Sequence, residues 1–219
     1  MKRLFHKELK GLKEKIVSMG SLAEEAVEKA AASLIRRRPE LAESVMAGEP
    51  AINKIEIEID EAAHGWIALG QPMASDLRLI AVVMRINNDL ERIGDHAINI
   101  AEKALAIMKE PRLEVYLQVP EMAAAVSAML HGALVSFAEE DAALARSILN
   151  RDDEVDAYND YLSGEIGKLL RRDSGIAQVA LNLLMIGHNL ERVGDLANNI
   201  AEDVIYLTEG REVRHHTGK

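Results

Sequence analysis

The chain has 219 residues, 48% hydrophobic but only 3% aromatic, with no cysteine and a formal net charge of −10. That length buries a substantial core in one or two domains, and an Ala/Leu/Ile/Glu/Arg-rich composition is that of packed helices. The absent cysteines exclude disulfides, thiolate metal sites and cysteine nucleophiles and fit a reducing compartment, and the acidic balance argues against nucleic acid as the main ligand.

Helical periodicity runs almost end to end. Leu9, Leu12, Ile16, Met19, Leu22, Ala26, Ala30 and Leu34 stripe a first long helix over 4–37. It ends on Arg36-Arg37-Arg38, where cations suit the negative end of the helix dipole. A short piece over 39–47 is expected to break at Gly48-Glu49-Pro50, and a second helix covers 50–69 up to Gly70-Gln71-Pro72. A third helix spans 73–109. The pattern restarts with a helix over 119–139, a short piece over 141–149, and helices over 152–171 and 175–208, before a polar tail. The N-terminal Met1-Lys-Arg-Leu-Phe resembles the start of a signal peptide, but Lys7, Glu8 and Lys10 follow without an apolar region. No stretch is expected to cross a bilayer; even 176–187 is short and carries Gln178 and Asn182. The expectation is a soluble, cytoplasmic protein.

The third and last helices carry the same segment. Asn88-Asp-Leu-Glu-Arg-Ile-Gly-Asp-His-Ala-Ile-Asn-Ile-Ala-Glu102 and His188-Asn-Leu-Glu-Arg-Val-Gly-Asp-Leu-Ala-Asn-Asn-Ile-Ala-Glu202 agree at ten of fifteen positions. Leu41–Met46 likewise matches Leu144–Leu149, at an offset of 103 rather than 100. The chain therefore reads as all-α, a duplicated unit of two tandem three-helix bundles with six main helices. The first bundle spans residues 1–111, the second 112–210, and 211–219 form the tail. Residues 111–119 are the seam, and their Leu/Val/Tyr content predicts a packed crossing.

Within each segment Glu91/Asp95 and Glu191/Asp195 stand about 40° apart on one helix face, on or beside the apolar stripe. Like charges one turn apart repel, and more strongly where water is scarce. A proton, an arginine partner or a metal ion would offset that. Arg92 and Arg192 point about 100° away from the adjoining Glu and make poor same-helix partners. Gly94 and Gly194 each cost about 1 kcal/mol mid-helix and predict close approach of a neighbouring helix. Asp152 and Asp156 form a third pair near the start of a second-half helix, where Asp152 also suits an N-cap. The first half has Glu49 and Asn53 at these positions. Such all-oxygen clusters suit Mg, Mn, Ca or oxidised Fe. Repeated interhelical salt bridges would account for the same acids.

Leu-Glu-Arg-(Ile/Val)-Gly-Asp, doubled late in each half of an all-helical chain of this length, resembles the PhoU family of bacterial phosphate-uptake regulators, over nearly the whole chain. The resemblance implies multinuclear metal clusters (Fe, Mn, Mg or Zn) on Glu49, Glu91 and Asp95 in the first half and on Asp152, Asp156, Glu191 and Asp195 in the second. Asn53 departs from the pattern and weakens the expected first cluster; His188, in place of Asn88, adds a candidate ligand to the second, which is therefore expected to hold metal better. The resemblance further implies a homodimeric, non-enzymatic regulator. It would link the ATPase subunit of a phosphate ABC transporter to a phosphate-sensing histidine kinase and restrain uptake and the starvation response. A metal-free helical adaptor, one serving a different transporter included, is the main alternative. A ferritin-like di-metal oxidase fits poorly, since Glu-x-x-His occurs only at Glu61–His64 and Glu212–His215.

Overall fold

The computed structural model describes residues 2–70, 72–110 and 118–213, and all their side chains except those of 2–7, 69 and 70. Buried positions recur at helical spacing along each long segment. In α1 (Lys2–Arg36) they are Leu9, Leu12, Ile16, Met19, Ala23, Val27, Ala30 and Leu34, steps of three and four that put one face into the core. Leu22 and Ala26, expected in this stripe, border it half-buried. α2 (Pro39–Gly70) and α3 (Ala74–Met108) pack on α1 and on each other.

In the second half, α4 (Val119–Glu139), α5 (Ala142–Leu149), α6 (Asp152–Arg172), a 3-10 turn over Ser174–Ile176 and α7 (Ala177–Glu209) repeat the arrangement. The described residues contain no strand. α7 ends at Gly210, whose left-handed φ of 70° closes the last turn. Residues 111–117 of the expected crossing and 214–219 of the tail lie outside the described residues.

The duplication extends into the backbone. Both first helices stop at a left-handed non-glycine residue, Arg37 (φ 50°) and Glu140 (φ 55°). Four residues earlier in each, a buried serine (Ser33, Ser136) donates to the carbonyl three residues back. The halves differ in the middle helix. The expected break at Gly48-Glu49-Pro50 does not occur, and α2 runs through it. Pro50 removes one backbone donor on an exposed face, while Ala42, Val45 and Ile52 stay buried on either side of it. The break falls instead in the second half, at Asn150–Arg151. Ala145, Ile148 and Val155 keep the same register there, so α5 and α6 serve as one kinked helix.

α4 corrects the expectation that nothing is long enough to span a membrane, because it is 21 residues long and reaches a mean hydropathy of 1.4 over an 18-residue window. Its apolar face, including Met122, Val126, Met129, Leu130 and Phe137, is buried against α7, α1, α5 and α6, which makes it a core helix. The two halves meet along α3–α7 and α1–α4, and their buried apolar side chains form one continuous core. Arg85–Asp203 at 3.0 Å and His96–Asn189 at 2.8 Å fix α3 and α7 antiparallel. The two copies of the repeated segment therefore lie side by side, related by an approximate twofold near Ile93 and Val193, both fully buried.

Candidate functional site

The twofold places the paired acids of α3 and α7 on opposite flanks, each facing the middle helix of its own half. On the first flank the Glu91 carboxyl is held above its ordinary range. Partial burial is the main cause, followed by the charges of Asp95, Glu56 and Glu49, with Arg92 opposing. Glu49, Asn53 and Glu56 stand at i, i+4 and i+7 on one face of α2. Glu56 thus joins the acids that the spacing identified; following the Glu49–Asn53 register one further turn finds it.

On the second flank the Asp152 carboxyl is raised by burial and then by Asp156 and Asp195, while a 2.6 Å hydrogen bond from Asn198 Nδ2 opposes the shift. Asp156 is raised by burial and then by Asp195, Asp153 and Asp160, with no opposing cation. Asp152 is not the N-cap: Arg151 holds that position and Asp152 begins the helix, its side chain turned to α7. Glu191 accepts from Asn159 Nδ2 at 2.7 Å, and His188 Nδ1 lies 3.4 Å from the same oxygen. Asn159 occupies the position of Glu56, as Asp156 occupies that of Asn53. Each flank therefore carries four acids and one amide in this register, and the acid count expected to favour the second half is equal.

The arginines diverge. Arg192 Nη1 is 2.5 Å from Asp195 Oδ2, three residues along the same helix. The adjoining Glu does not receive it, as the 100° offset implies, but the i,i+3 carboxylate does, so the expectation of poor same-helix pairing is corrected at that spacing. Arg92 turns the other way, 3.7 Å from Asp89. The glycines differ too. A Cβ on Gly94 would come within 3.2 Å of Ile52, as expected for a close helix, whereas Gly194 has 3.5 Å to Val155 and room for a methyl. The tight glycine of α7 is Gly187, with Leu162 at 2.5 Å and Asn159 at 3.0 Å.

Among the described residues, no group of three or more His, Asp or Glu side chains is arranged to hold a metal ion. Asp152, Glu191 and Asp195 are turned to Asn198, Asn159 and Arg192, and cation binding requires them to rotate away. The donor chemistry nonetheless fits a hard cation. Mutually repelling carboxylates line each flank, and each has an asparagine beside it whose buried Oδ1 has no hydrogen-bond partner. On the first flank Asn87, 1% exposed, donates from Nδ2 to the Glu56 carbonyl at 3.0 Å and to Asp60 at 3.2 Å. On the second, Asn198 donates to Asp152. Two acceptors on Asn87 Nδ2 fix the orientation of its amide, leaving Oδ1 the unsatisfied end. A 610 Å³ cleft lined by Leu9, Lys13, Val17 and Leu79 lies between α1, α3 and α4, away from the flanks, while a shallower 580 Å³ hollow on α2 is lined by Glu49, Asn53 and Ile57 at the first flank. His64 Nδ1 lies 2.8 Å from the Asp60 carbonyl of its own helix and does not extend an Glu-x-x-His pair; His215 lies outside the described residues.

The family model of the PhoU domain matches this chain twice, over residues 16–104 and 119–204. The chain is 38% identical over 209 residues to the phosphate-specific transport system accessory protein PhoU homolog of Aquifex aeolicus, covering 95% of both chains. It is 31% identical over 214 residues to the accessory protein PhoU of Escherichia coli, covering 98% of this chain and 89% of that one. The crystal structure of PhoU from Pseudomonas aeruginosa superposes with a TM-score of 0.92 at 36% identity, covering 94% of this chain and all 100% of that one. The phosphate transport system regulatory protein PhoU from Streptococcus pneumoniae gives 0.88 at 34% identity, covering 95% and 99%. The chain belongs to the PhoU family.

Proposed function

We propose that this protein is a non-enzymatic accessory regulator of phosphate transport that takes up hard cations on its two carboxylate flanks. The observation that carries the reading is the duplicated acidic segment, which gathers further acids from its neighbouring helix in both halves. It occurs in a chain related over almost its full length to phosphate-specific transport accessory proteins. Glu49, Glu56, Glu91 and Asp95 hold the cation in one half, and Asp152, Asp156, Glu191 and Asp195 in the other. Carboxylate oxygens bring opposite charge and replace the hydration shell of Mg²⁺, Mn²⁺ or oxidised iron, and Zn²⁺ is also accommodated by oxygen donors.

In this reading the protein works in the cytoplasm as a homodimer, its two halves acting as tandem domains joined in sequence through residues 111–119. It links the ATPase subunit of a phosphate ABC transporter to a phosphate-sensing histidine kinase, and it holds uptake and the starvation response down when phosphate is plentiful. Deleting the gene and following a phosphate-starvation reporter in high phosphate tests this. The reading expects an active reporter, silenced by restoring the wild-type gene; a reporter silent in the deletion strain contradicts it. A metal-free adaptor is favoured by the hydrogen bonds that already engage Asp152, Glu191 and Asp195. Full complementation by Glu191→Ala/Asp195→Ala together with Glu91→Ala/Asp95→Ala would select that reading.

A further inference from the structure

We propose that Asp89 sets the order in which the two flanks take up a hard cation, by drawing Arg92 off the first-half carboxylates while Arg192 remains on those of the second. The inference rests on the cation-binding reading above and names the residue that makes its two sites unequal.

Arg92 and Arg192 occupy equivalent positions, and a helical arginine can reach carboxylates three residues before or after it, the acid ahead of it being the better placed. For Arg192 the choice is one-sided. The residue ahead of it is Asn189, a neutral amide already committed: its Oδ1 meets His96 Nδ1 at 2.8 Å and its Nδ2 donates to the Met185 carbonyl at 2.7 Å. The guanidinium therefore swings forward to Asp195, at 2.5 Å. Asp195 is also the acid whose charge reaches both Asp152 and Asp156. Arg192 thus supplies, at the centre of the second flank, the positive charge that a cation would otherwise supply. A cation must displace it.

In the first half Asp89 stands where Asn189 does, and Arg92 lies with it, 3.7 Å away, rather than on Asp95. The charge of Arg92 still reaches Glu91, but it ranks behind burial, Asp95 and Glu56 among the influences there. The register gives each flank four acids and one amide, with Asp153 and Asp160 adding charge beside Asp156 in the second; the arginine placement is what favours the first. Each flank has one buried amide Oδ1 without a hydrogen-bond partner, Asn87 in the first and Asn198 in the second, so this donor does not rank them.

The test is titration of chelator-treated full-length protein with Mn²⁺ by calorimetry. Glu191→Ala/Asp195→Ala isolates the first flank and Glu91→Ala/Asp95→Ala the second. The first flank is expected to bind about three- to tenfold more tightly, the range a partly exposed ion pair commands. Asp89→Asn should erase that advantage, and Arg192→Gln, a surface change that leaves the core intact, should raise second-flank affinity by a similar factor. Equal affinities in the two isolated flanks, or an unchanged affinity in Arg192→Gln, would overturn the proposal. If neither flank binds Mn²⁺, the order of uptake falls together with the reading beneath it. Metal-free double-mutant cycles on thermal stability then show which failed. Coupling for Arg192–Asp195 with none for Arg92–Asp95 leaves the arginine placement standing and rejects the metal, and equal coupling rejects the placement itself.

Discussion

Arg85 Nη1 donates to Asp203 Oδ1 at 3.0 Å across the α3–α7 interface, and the Asp203 side chain is fully buried. The hydrogen bond to Asp203 is the chief reason the Arg85 guanidinium holds its proton even more firmly than an ordinary arginine. Glu212 at 3.8 Å and the Tyr206 ring at 5.5 Å complete its surroundings. The related positions across the twofold are Met185 and Lys103, so this charged contact exists at one end of the interface only. Replacing Arg85 with Met takes the counter-charge from a buried carboxylate and is expected to cost about 2–4 kcal/mol in urea unfolding. Asp203→Asn should cost less, because the arginine left behind is half-exposed. A neutral Arg85→Met would show that the contact does not hold the halves together.

The acids of the flanks work against the fold at neutral pH. Glu91, Asp152 and Asp156 all titrate above their ordinary values, with burial and then neighbouring carboxylates as the causes. A carboxyl whose folded value is raised contributes stability that is fully present below its unfolded value, near pH 4, and lost as pH rises through the folded value. In chelator-treated protein, Asp156→Asn should therefore stabilise at pH 7 by up to about 1 kcal/mol after solvent screening. The gain should disappear near pH 4. Thermal unfolding of both proteins at the two pH values checks this, and a loss of stability in Asp156→Asn at pH 7 would contradict it.

Three glycines of the motif helices separate space from backbone propensity. Gly194→Ala places a methyl 3.5 Å from Val155, an ordinary contact, and should stabilise by up to about 1 kcal/mol through helix propensity. Gly94→Ala needs a small shift of Ile52 and should be close to neutral. Gly187→Ala drives a methyl into Leu162 and Asn159, and about 1–3 kcal/mol of strain is expected to exceed the propensity gain. Melting temperatures of the three variants give the order directly.

The sequence reveals whatever depends on local periodicity. The α1 stripe from Leu9 to Leu34, the ends of α3 and the doubled segment are all legible, because apolar spacing and caps are local properties. What lies between helices is less so. Pro50 looks like a stop, yet buried Val45 and Ile52 carry α2 past it. Pattern alone cannot show that tertiary packing outweighs one missing hydrogen bond. Glu56 is overlooked because a match built on i,i+4 pairs ends at Asn53. Asn87 and Asn198 carry no signal as candidates, since an unsatisfied amide oxygen exists only once its surroundings are packed. The direction of Arg192 depends on Asn189, whose amide oxygen is engaged by His96 of the other half, a contact that no local pattern shows.

The central claim is that the carboxylate flanks exist to take up hard cations, and the metal content of purified protein tests it most directly. Full-length protein equilibrated with Mn²⁺ or Mg²⁺, desalted and analysed for metal is predicted to retain at least one ion per chain. Replacing Glu91, Asp95, Glu191 and Asp195 together with Ala should abolish that retention while the helical circular dichroism persists. Equal, sub-stoichiometric metal in the wild type and the fourfold variant would contradict the account and leave the acids as interhelical salt-bridge and hydrogen-bond partners.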